Sequence, residues 1–139
     1  MKGLDTNVLV RFLVKDDPKQ AASAVAFMRE ACTADVPCLV NRIVLCELEW
    51  VLESAYGYPR STVAEVLGKI LRTGELLVED ADEAWAALRA CREQGADFSD
   101  CLLGRTNLSR GCEATATFDR NASRLAGFEL LEPAAGRSR

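Results

Sequence analysis

The sequence predicts an α/β fold in which short strands alternate with helices around a mostly parallel sheet, covered by helices on both faces. The 139 residues fit one domain of typical size, and a hydrophobic content of 49% is enough for a buried core. Short apolar runs also alternate with longer segments of helical periodicity. We therefore expect a single domain over residues 1–132 and a flexible polar tail over residues 133–139.

Short apolar runs bounded by turn-forming residues predict the strands. The run at 36–40, for example, lies between Asp35 and Asn41. The five expected strands span residues 1–4, 36–40, 76–78, 114–118 and 128–131.

Capping residues predict the helices between these strands. Asp17 and Asn41 are residue types that favour a helix start, whereas Gly74 and Gly95 are typical of helix ends. The expected helices span residues 6–14, 19–32, 42–56, 61–73 and 97–109, with one more that begins at Asp80 or Asp82 and ends near residue 94.

The charge composition excludes several classes of site. The chain has no histidine, 21 acidic residues and 17 basic residues, for a net charge of −4. Without histidine there is no Ser-His-Asp or Cys-His nucleophile, no HExxH metal site and no Cys2His2 finger. The acidic balance argues against a nonspecific nucleic-acid coat, which is normally basic.

The cysteines and the apolar runs indicate the compartment. No pair among the six cysteines has CxxC spacing, which argues against a zinc ribbon or a thioredoxin-like site. Cys46, Cys91 and Cys101 lie among apolar residues of predicted helices, so we expect small buried hydrophobes there. There is no secretory apolar region, and no run approaches the ~18 residues of a membrane span. We expect a cytoplasmic protein without a membrane partner.

Two aspartates directly follow predicted strands. Asp5 follows the first strand and Asp119 follows the fourth. Ligands of open α/β sheets bind beyond the carboxyl ends of the strands, so these two carboxylates are candidates for one site if the strands are neighbours. A strand-end aspartate also serves as an ordinary cap of the next helix.

Glu47 is predicted to lie on the buried face of its helix. It follows Val44 by three residues and precedes Val51 by four, whereas Glu49 and Glu53 are expected to face solvent. A buried carboxylate is costly unless it is paired or bound to metal. The alternative to a metal ligand is a buried ion pair with Arg42 or Arg11.

Asp97 and Asp100 stand three residues apart at a predicted helix N-terminus. Acids in a first helical turn are stabilised by the helix dipole, and Asp97 is a suitable cap, so a structural role is open. Together with Asp5, Glu47 and Asp119, however, Asp100 forms an all-oxygen set. Such ligands suit Mg²⁺ or Mn²⁺ rather than Zn²⁺.

Four segments in order carry a family resemblance. Residues 4–10 (LDTNVLV) resemble the start of PIN domains, and residues 44–52 (VLCELEWVL) resemble their helix with one inward Glu. Residues 96–103 (ADFSDCLL) and 116–121 (ATFDRN) are similar to the two later acidic motifs of that family. Within that family the chain most resembles the VapC-type toxins of bacterial VapBC toxin–antitoxin modules.

The resemblance implies a three-layer α/β/α sandwich with a four- or five-stranded, mostly parallel sheet. It implies a Mg²⁺- or Mn²⁺-dependent endoribonuclease acting on tRNA or another structured RNA, a homodimer and a VapB-type antitoxin. By motif, Asp5, Glu47, Asp100 and Asp119 match the catalytic acids and Asp97 an accessory metal ligand. The matching polar neighbours are Thr6, Asn7, Thr117 and Asn121.

Two departures from the family pattern stand out. Gly104-Arg105 replaces small apolar residues, and Asn121 stands where a second acid is common. Whether Asp119 or Asn121 is the fourth site group therefore stays open. The family also includes inactive members, so the resemblance does not by itself establish catalysis.

The expected reaction follows from the carboxylates. One or two ions held by them would activate water for in-line attack on the phosphodiester, leaving a 3′-hydroxyl and a 5′-phosphate. Arginines near the acidic motifs are candidates for RNA contacts, namely Arg105, Arg110, Arg120 and Arg124. The two amphipathic helices over residues 41–72 are candidates for antitoxin binding. Their apolar side chains include Trp50, Tyr56, Tyr58, Leu67, Ile70 and Leu71.

Two other classes compete with this interpretation. One is another Mg²⁺-carboxylate phosphohydrolase or a phosphoacceptor receiver, although Asn7 stands where one phosphatase class needs a second aspartate. The other is a noncatalytic binding module on the PIN scaffold. The RNA target, the cleavage site, the antitoxin and the number of ions are not predicted by the sequence.

Overall fold

The computed structural model describes residues 1–135, and within them it has a mixed α/β fold. Residues 133–135 are exposed and irregular, and residues 136–139 of the predicted tail lie outside the described residues. The elements are α1 (Thr6–Val14), α2 (Pro18–Ala31), β1 (Cys38–Val40), α3 (Arg42–Ser54), α4 (Arg60–Arg72), β2 (Leu76–Val78), α5 (Ala81–Gln94), α6 (Phe98–Ser109), β3 (Thr115–Thr117), a 3₁₀ turn (Ala122–Arg124) and β4 (Phe128–Leu130).

The strands form two parallel pairs. Cys38 of β1 lies opposite Leu76 of β2, and Thr115 of β3 lies opposite Phe128 of β4. The predicted first strand forms one parallel bridge, Gly3 with Leu39, beside β1. The predicted single sheet of four or five strands in a three-layer sandwich is thus not confirmed within residues 1–135, where no ladder joins the two pairs.

Local capping explains where several helices begin and end. The Asp17 carboxylate accepts a hydrogen bond from Gln20 N at 3.0 Å, and the Asn41 side chain accepts one from Val44 N at 3.0 Å. Gly95 ends α5 with a φ of +64°, a left-handed conformation that glycine adopts without strain. These three predicted boundaries are confirmed.

The core is formed mainly by helices. Each of α1, α3, α4 and α5 contributes at least one leucine that is almost fully buried, and α6 contributes Phe98. Leu48, Leu52 and Leu67 have 0% exposure. Full burial of such a side chain stabilises the fold by roughly 1.5–3 kcal/mol. Helix α3 lies in the middle of this core and contacts α1, α4 and α6.

The cysteines divide into two groups. Of the four free cysteines, Cys91 and Cys101 are buried as predicted, whereas Cys46, also predicted to be buried, is half-buried and Cys112 is exposed. Burial raises the pKa of the Cys101 thiol to about 12. Cys32 and Cys38 form a disulfide that joins the end of α2 to β1, a link the sequence analysis did not anticipate. Such bonds are rare in reducing compartments, so the expected cytoplasmic location gains no support from this pair.

None of the helices within residues 1–135 combines the length and apolar character needed to cross a bilayer.

Candidate active site

Asp5 and Glu47 line one pocket at the start of α1. Asp5 is the N-cap of α1 and accepts a hydrogen bond from Thr6 N at 2.7 Å. Glu47 Oε1 accepts a hydrogen bond from the Thr6 hydroxyl at 2.7 Å. Thr6 is buried and therefore links α1 to α3 beside both carboxylates. Asn7 also lines this pocket, which has a volume of about 350 Å³.

Two residues that line this pocket, Arg11 and Tyr56, belong to a polar network with Asp16. Arg11 Nη1 lies 2.7 Å from Asp16 Oδ1, and the Tyr56 hydroxyl donates to Asp16 Oδ2 at 2.9 Å. The hydrogen bond from Tyr56 is the main cause that lowers the pKa of Asp16. Arg11 and Tyr56 line the pocket themselves, together with the exposed indole of Trp50.

Neither arginine proposed as an ion-pair partner of Glu47 contacts it in the described part of the chain. Arg11 pairs with Asp16, and Arg42 pairs with Asp80 and lies 3.5 Å from Glu79 and 3.6 Å from Glu83. The alternative of a buried Glu47 salt bridge is therefore wrong. Glu47 keeps a carboxylate whose only protein hydrogen bond within residues 1–135 comes from Thr6.

The other predicted acids line a second pocket. Asp97, Asp100 and Asp119 surround a volume of about 300 Å³, and Asn121 lies in the same wall. The pKa of Asp100 is raised, first because the carboxyl is partly buried and then because Asp97, Asp119 and Glu49 add negative charge nearby. A cation in this pocket would relieve that repulsion.

Basic side chains also reach this second pocket. Arg60 and Arg124 lie in its wall, and Arg60 Nη2 is 2.8 Å from Asp97 Oδ1. Arg105, Arg110, Arg120 and Arg124 are all exposed, but among these four predicted RNA contacts only Arg124 lines the acidic pocket.

The turn after β3 fixes Asp119. Thr117 Oγ1 accepts a hydrogen bond from Asp119 N at 3.0 Å, and Asp119 Oδ1 accepts one from Asn121 N at 2.8 Å. One carboxylate oxygen of Asp119 therefore stabilises the turn, and the Thr117 hydroxyl stabilises the backbone N–H of Asp119. Both Asp119 and Asn121 face the pocket, so their order of importance stays open.

The predicted burial of the α3 acids is wrong. Glu47 is exposed, whereas Glu49 has only 4% exposure and Glu53 is half-buried. The buried face of α3 is defined by Val44, Leu45, Leu48 and Leu52. The sequence signal for Glu49 was present, since Leu45 precedes it by four residues and Leu52 follows it by three.

Glu49 caps the N-terminus of α6, a contact the sequence analysis missed. Its Oε2 accepts a hydrogen bond from Phe98 N at 2.6 Å, and its Oε1 accepts one from Ser99 N at 3.0 Å. The Ser99 hydroxyl also donates to Oε1. These backbone donors have no partner inside the helix, and the positive end of the α6 dipole favours a carboxylate there.

Three acids approach one another closely beside this cap. Carboxylate oxygens of Glu49, Glu53 and Asp97 lie within 4.8 Å of one another, the one such group among residues 1–135. Burial and the charges of Glu49 and Asp97 raise the pKa of Glu53. Glu49 already binds α6 and Asp97 already binds Arg60, so two of the three carboxylates have protein partners.

Helix α3 therefore joins the two acidic pockets. Glu47 connects it to Thr6 at the first pocket, and Glu49 connects it to the start of α6, which carries Asp100 into the second. The five predicted acids line these two pockets in the described structure, three in one and two in the other.

Comparison with models of protein families identifies the family of this chain. A family model described as PIN domain matches residues 3–128, so the matched region extends over nearly the whole chain. The chain belongs to the PIN domain family. PIN domains are in general metal-dependent nucleases. No curated protein and no solved structure matches the chain.

Proposed function

We propose that this chain is a metal-dependent endoribonuclease that hydrolyses phosphodiester bonds of tRNA or another structured RNA. The observation that carries the proposal is the placement of the four motif acids, Asp5, Glu47, Asp100 and Asp119, in two pockets joined by α3. They occur in a chain of a family whose members are in general nucleases.

The donor set fits a hard divalent cation. It consists of carboxylate oxygens, and the pKa of Asp100 is raised first by burial and then by the neighbouring carboxylates. Asp5, Glu47, Asp100 and Asp119 would hold Mg²⁺ or Mn²⁺, with Asp97 as an accessory ligand. When bound, such an ion lowers the pKa of water toward neutrality and offsets the charge of the reacting phosphate.

The chain's own residues supply positioning and proton transfer. Thr6 fixes the orientation of Glu47, and Thr117 fixes the turn that presents Asp119. Asp100 or Asp119 would orient the attacking water and accept its proton, since the chain has no histidine for that role. Attack on the phosphorus would leave a 3′-hydroxyl and a 5′-phosphate.

Exposed arginines would hold the RNA backbone. Arg124 is the best placed of them, because it lines the pocket that contains Asp100 and Asp119. Arg105, Arg110 and Arg120 are exposed near the same end of the sequence and would contribute bidentate phosphate contacts.

We further propose that the protein is a cytoplasmic VapC-type toxin, a homodimer inhibited by a VapB-type antitoxin. Of the predicted partner-binding side chains, Leu67 is fully buried in the core and is unsuitable for binding. A better site is an apolar groove of about 680 Å³ between α1, α2 and α4. Its lining includes three cations, Lys15, Arg29 and Lys69, against one acid, Glu75, and this positive balance suits an amphipathic antitoxin helix with acidic flanks.

Cleavage of total tRNA by the purified chain tests the proposed activity. We expect 5′-phosphate ends that form with Mg²⁺ or Mn²⁺ and stop when EDTA is added. RNA binding without cleavage, under the same conditions and with either ion, would instead support the noncatalytic binding module. Stable phosphorylation of Asp5 would support the phosphohydrolase class.

A further inference from the structure

Trp50 is an aromatic side chain in an unusual place. Its side chain is 69% exposed, although large aromatic residues are on average highly buried. It lies one helical turn after Glu47 on α3, so the two side chains share a face. Both line the pocket that contains Asp5.

The chemistry of this pocket is that of a nucleotide site. The Trp50 indole offers a flat π surface, and Arg11 and Tyr56 also line the pocket. Arg11 Nε and Nη1 have partners, whereas no hydrogen bond within residues 1–135 engages Arg11 Nη2. That leaves a charged donor for a phosphate oxygen. The volume of about 350 Å³ is in the range of small-ligand pockets.

We propose that Trp50 stacks on an unpaired base of the RNA, next to the phosphate that reacts at Asp5 and Glu47. This proposal rests on the proposed nuclease function and adds a substrate requirement to it. A base can cover the exposed indole only when it is splayed out of a helix, so the favoured substrate is a single-stranded loop or end. Arg11 would bind a neighbouring phosphate of the same strand.

A second exposed residue of α3 distinguishes a stacked base from a second copy of the chain bound to the same helix face. Ile43 lies seven residues before Trp50 on the same face of α3 and is 65% exposed, but it does not line the pocket with Asp5 and Glu47. A second copy of the chain that covered this helix face would bury both side chains. A stacked base would need Trp50 alone.

The two tryptophans allow a direct measurement. Trp85 is half-buried and packed against the core, so the W85F variant keeps Trp50 as its sole indole. Its fluorescence is followed during titration with an unpaired RNA pentanucleotide in EDTA, and with the same strand annealed to its complement. We expect saturable quenching by the single strand and little by the duplex.

Variants at the two exposed positions complete the experiment. Trp50→Ala should weaken binding of the single strand about tenfold to a hundredfold, the range that base–aromatic stacking supplies, while Trp50→Phe retains most of it. Ile43→Ser should bind like the unaltered chain. In cleavage assays Trp50→Ala should raise KM for an unpaired substrate much more than it lowers kcat.

The outcomes separate this proposal from the nuclease proposal. Quenching without any cleavage by the unaltered chain would support stacking and contradict the nuclease. Cleavage with unchanged KM in Trp50→Ala would contradict stacking and leave the nuclease standing. Equal loss of binding in Trp50→Ala and Ile43→Ser, with a fall in particle mass from dimer to monomer, would also overturn stacking and assign this helix face to a second copy.

Discussion

Two glutamates of α3 that are two residues apart have opposite environments. Glu47 is exposed in an open pocket and has one hydrogen bond, from Thr6, whereas Glu49 is buried and accepts three hydrogen bonds from the start of α6. The comparison teaches that burial of a carboxylate does not identify the reactive one. A carboxylate with spare oxygen lone pairs can bind a ligand, while one whose oxygens are occupied by backbone donors stabilises the fold.

The largest expected effect separates the two residues by activity. Glu47→Gln should reduce Mg²⁺-dependent RNA cleavage about a hundredfold or more, the scale of a lost catalytic group. Its free energy of unfolding should change little, because Gln keeps an oxygen that accepts from Thr6. Cleavage rates and urea unfolding of the same preparations check both parts. Asp5→Asn, in the same pocket, should behave alike, and full activity in both variants would reject this site.

The next largest effect is on stability rather than on activity. Glu49→Gln should lower the free energy of unfolding by roughly 2–4 kcal/mol, because it removes a charged acceptor from buried backbone donors. Urea unfolding measures this loss, with Glu47→Gln as the matched control on the same helix. Equal stability of the two variants would show that Glu49 does not hold α6.

Substitution of Gly104 in α6 tests whether activity depends on the close packing of this helix or on the carboxylates at its start. A Cβ at Gly104 would lie 2.5 Å from Phe128 Cε1, so Gly104→Ala should cost about 1–3 kcal/mol of stability through overpacking. It leaves all the acids in place, and cleavage below the unfolding transition should persist. Gly74→Ala is the control, because a Cβ there meets nothing within 4 Å. Equal unfolding midpoints of the two variants would contradict the close packing on Phe128.

The smallest effect concerns pH. The pKa of Asp100 is raised above its ordinary 3.8 by burial and then by neighbouring carboxylates, so the folded chain binds more protons and its stability falls as pH rises through that pKa. Asp100→Asn removes this penalty. The variant should melt at a higher temperature than the unaltered chain at pH 7, and the gain should vanish below pH 3.8.

A second aspartate, Asp16, is expected to change the melting temperature in the opposite direction. The pKa of Asp16 is lowered, chiefly by the hydrogen bond from Tyr56, so its contribution to stability is present at neutral pH and is lost as pH falls through that pKa. Asp16→Asn should therefore melt at a lower temperature than the unaltered chain at pH 7. The same direction of change in both variants would show that the pKa shifts do not govern these melting temperatures.

The parts of the structure that depend on local chemistry were predictable. The helix starts at Asp17 and Asn41 and the end at Gly95 follow from side-chain caps and a left-handed residue, which need no tertiary information. Membership of the PIN domain family was also predicted correctly, because that part of the resemblance rests on four ordered motifs across the chain. Thr6 and Thr117, predicted as polar neighbours, do contact the acidic positions.

The parts that depend on distant contacts were not predictable. Glu49 and Phe98 are 49 residues apart in sequence, and nothing local shows that a glutamate on one helix caps another. The Gly104 departure has its reason in Phe128, which packs on α6 from β4. The helical period of α3 was correct, but its buried face was assigned without Leu45, and that error exchanged the environments of Glu47 and Glu49.

Binding of Mn²⁺ to three forms of the protein tests the central claim most directly. The paramagnetic ion can be titrated into the unaltered chain, Glu47→Gln and Glu49→Gln, with free Mn²⁺ followed by electron paramagnetic resonance well below the unfolding temperature of each. If Glu47 is a metal ligand and Glu49 a helix cap, Glu47→Gln weakens binding at least about tenfold and Glu49→Gln binds like the unaltered chain. Loss of Mn²⁺ in Glu49→Gln with normal binding in Glu47→Gln would contradict that claim and place the ion among Glu49, Glu53 and Asp97.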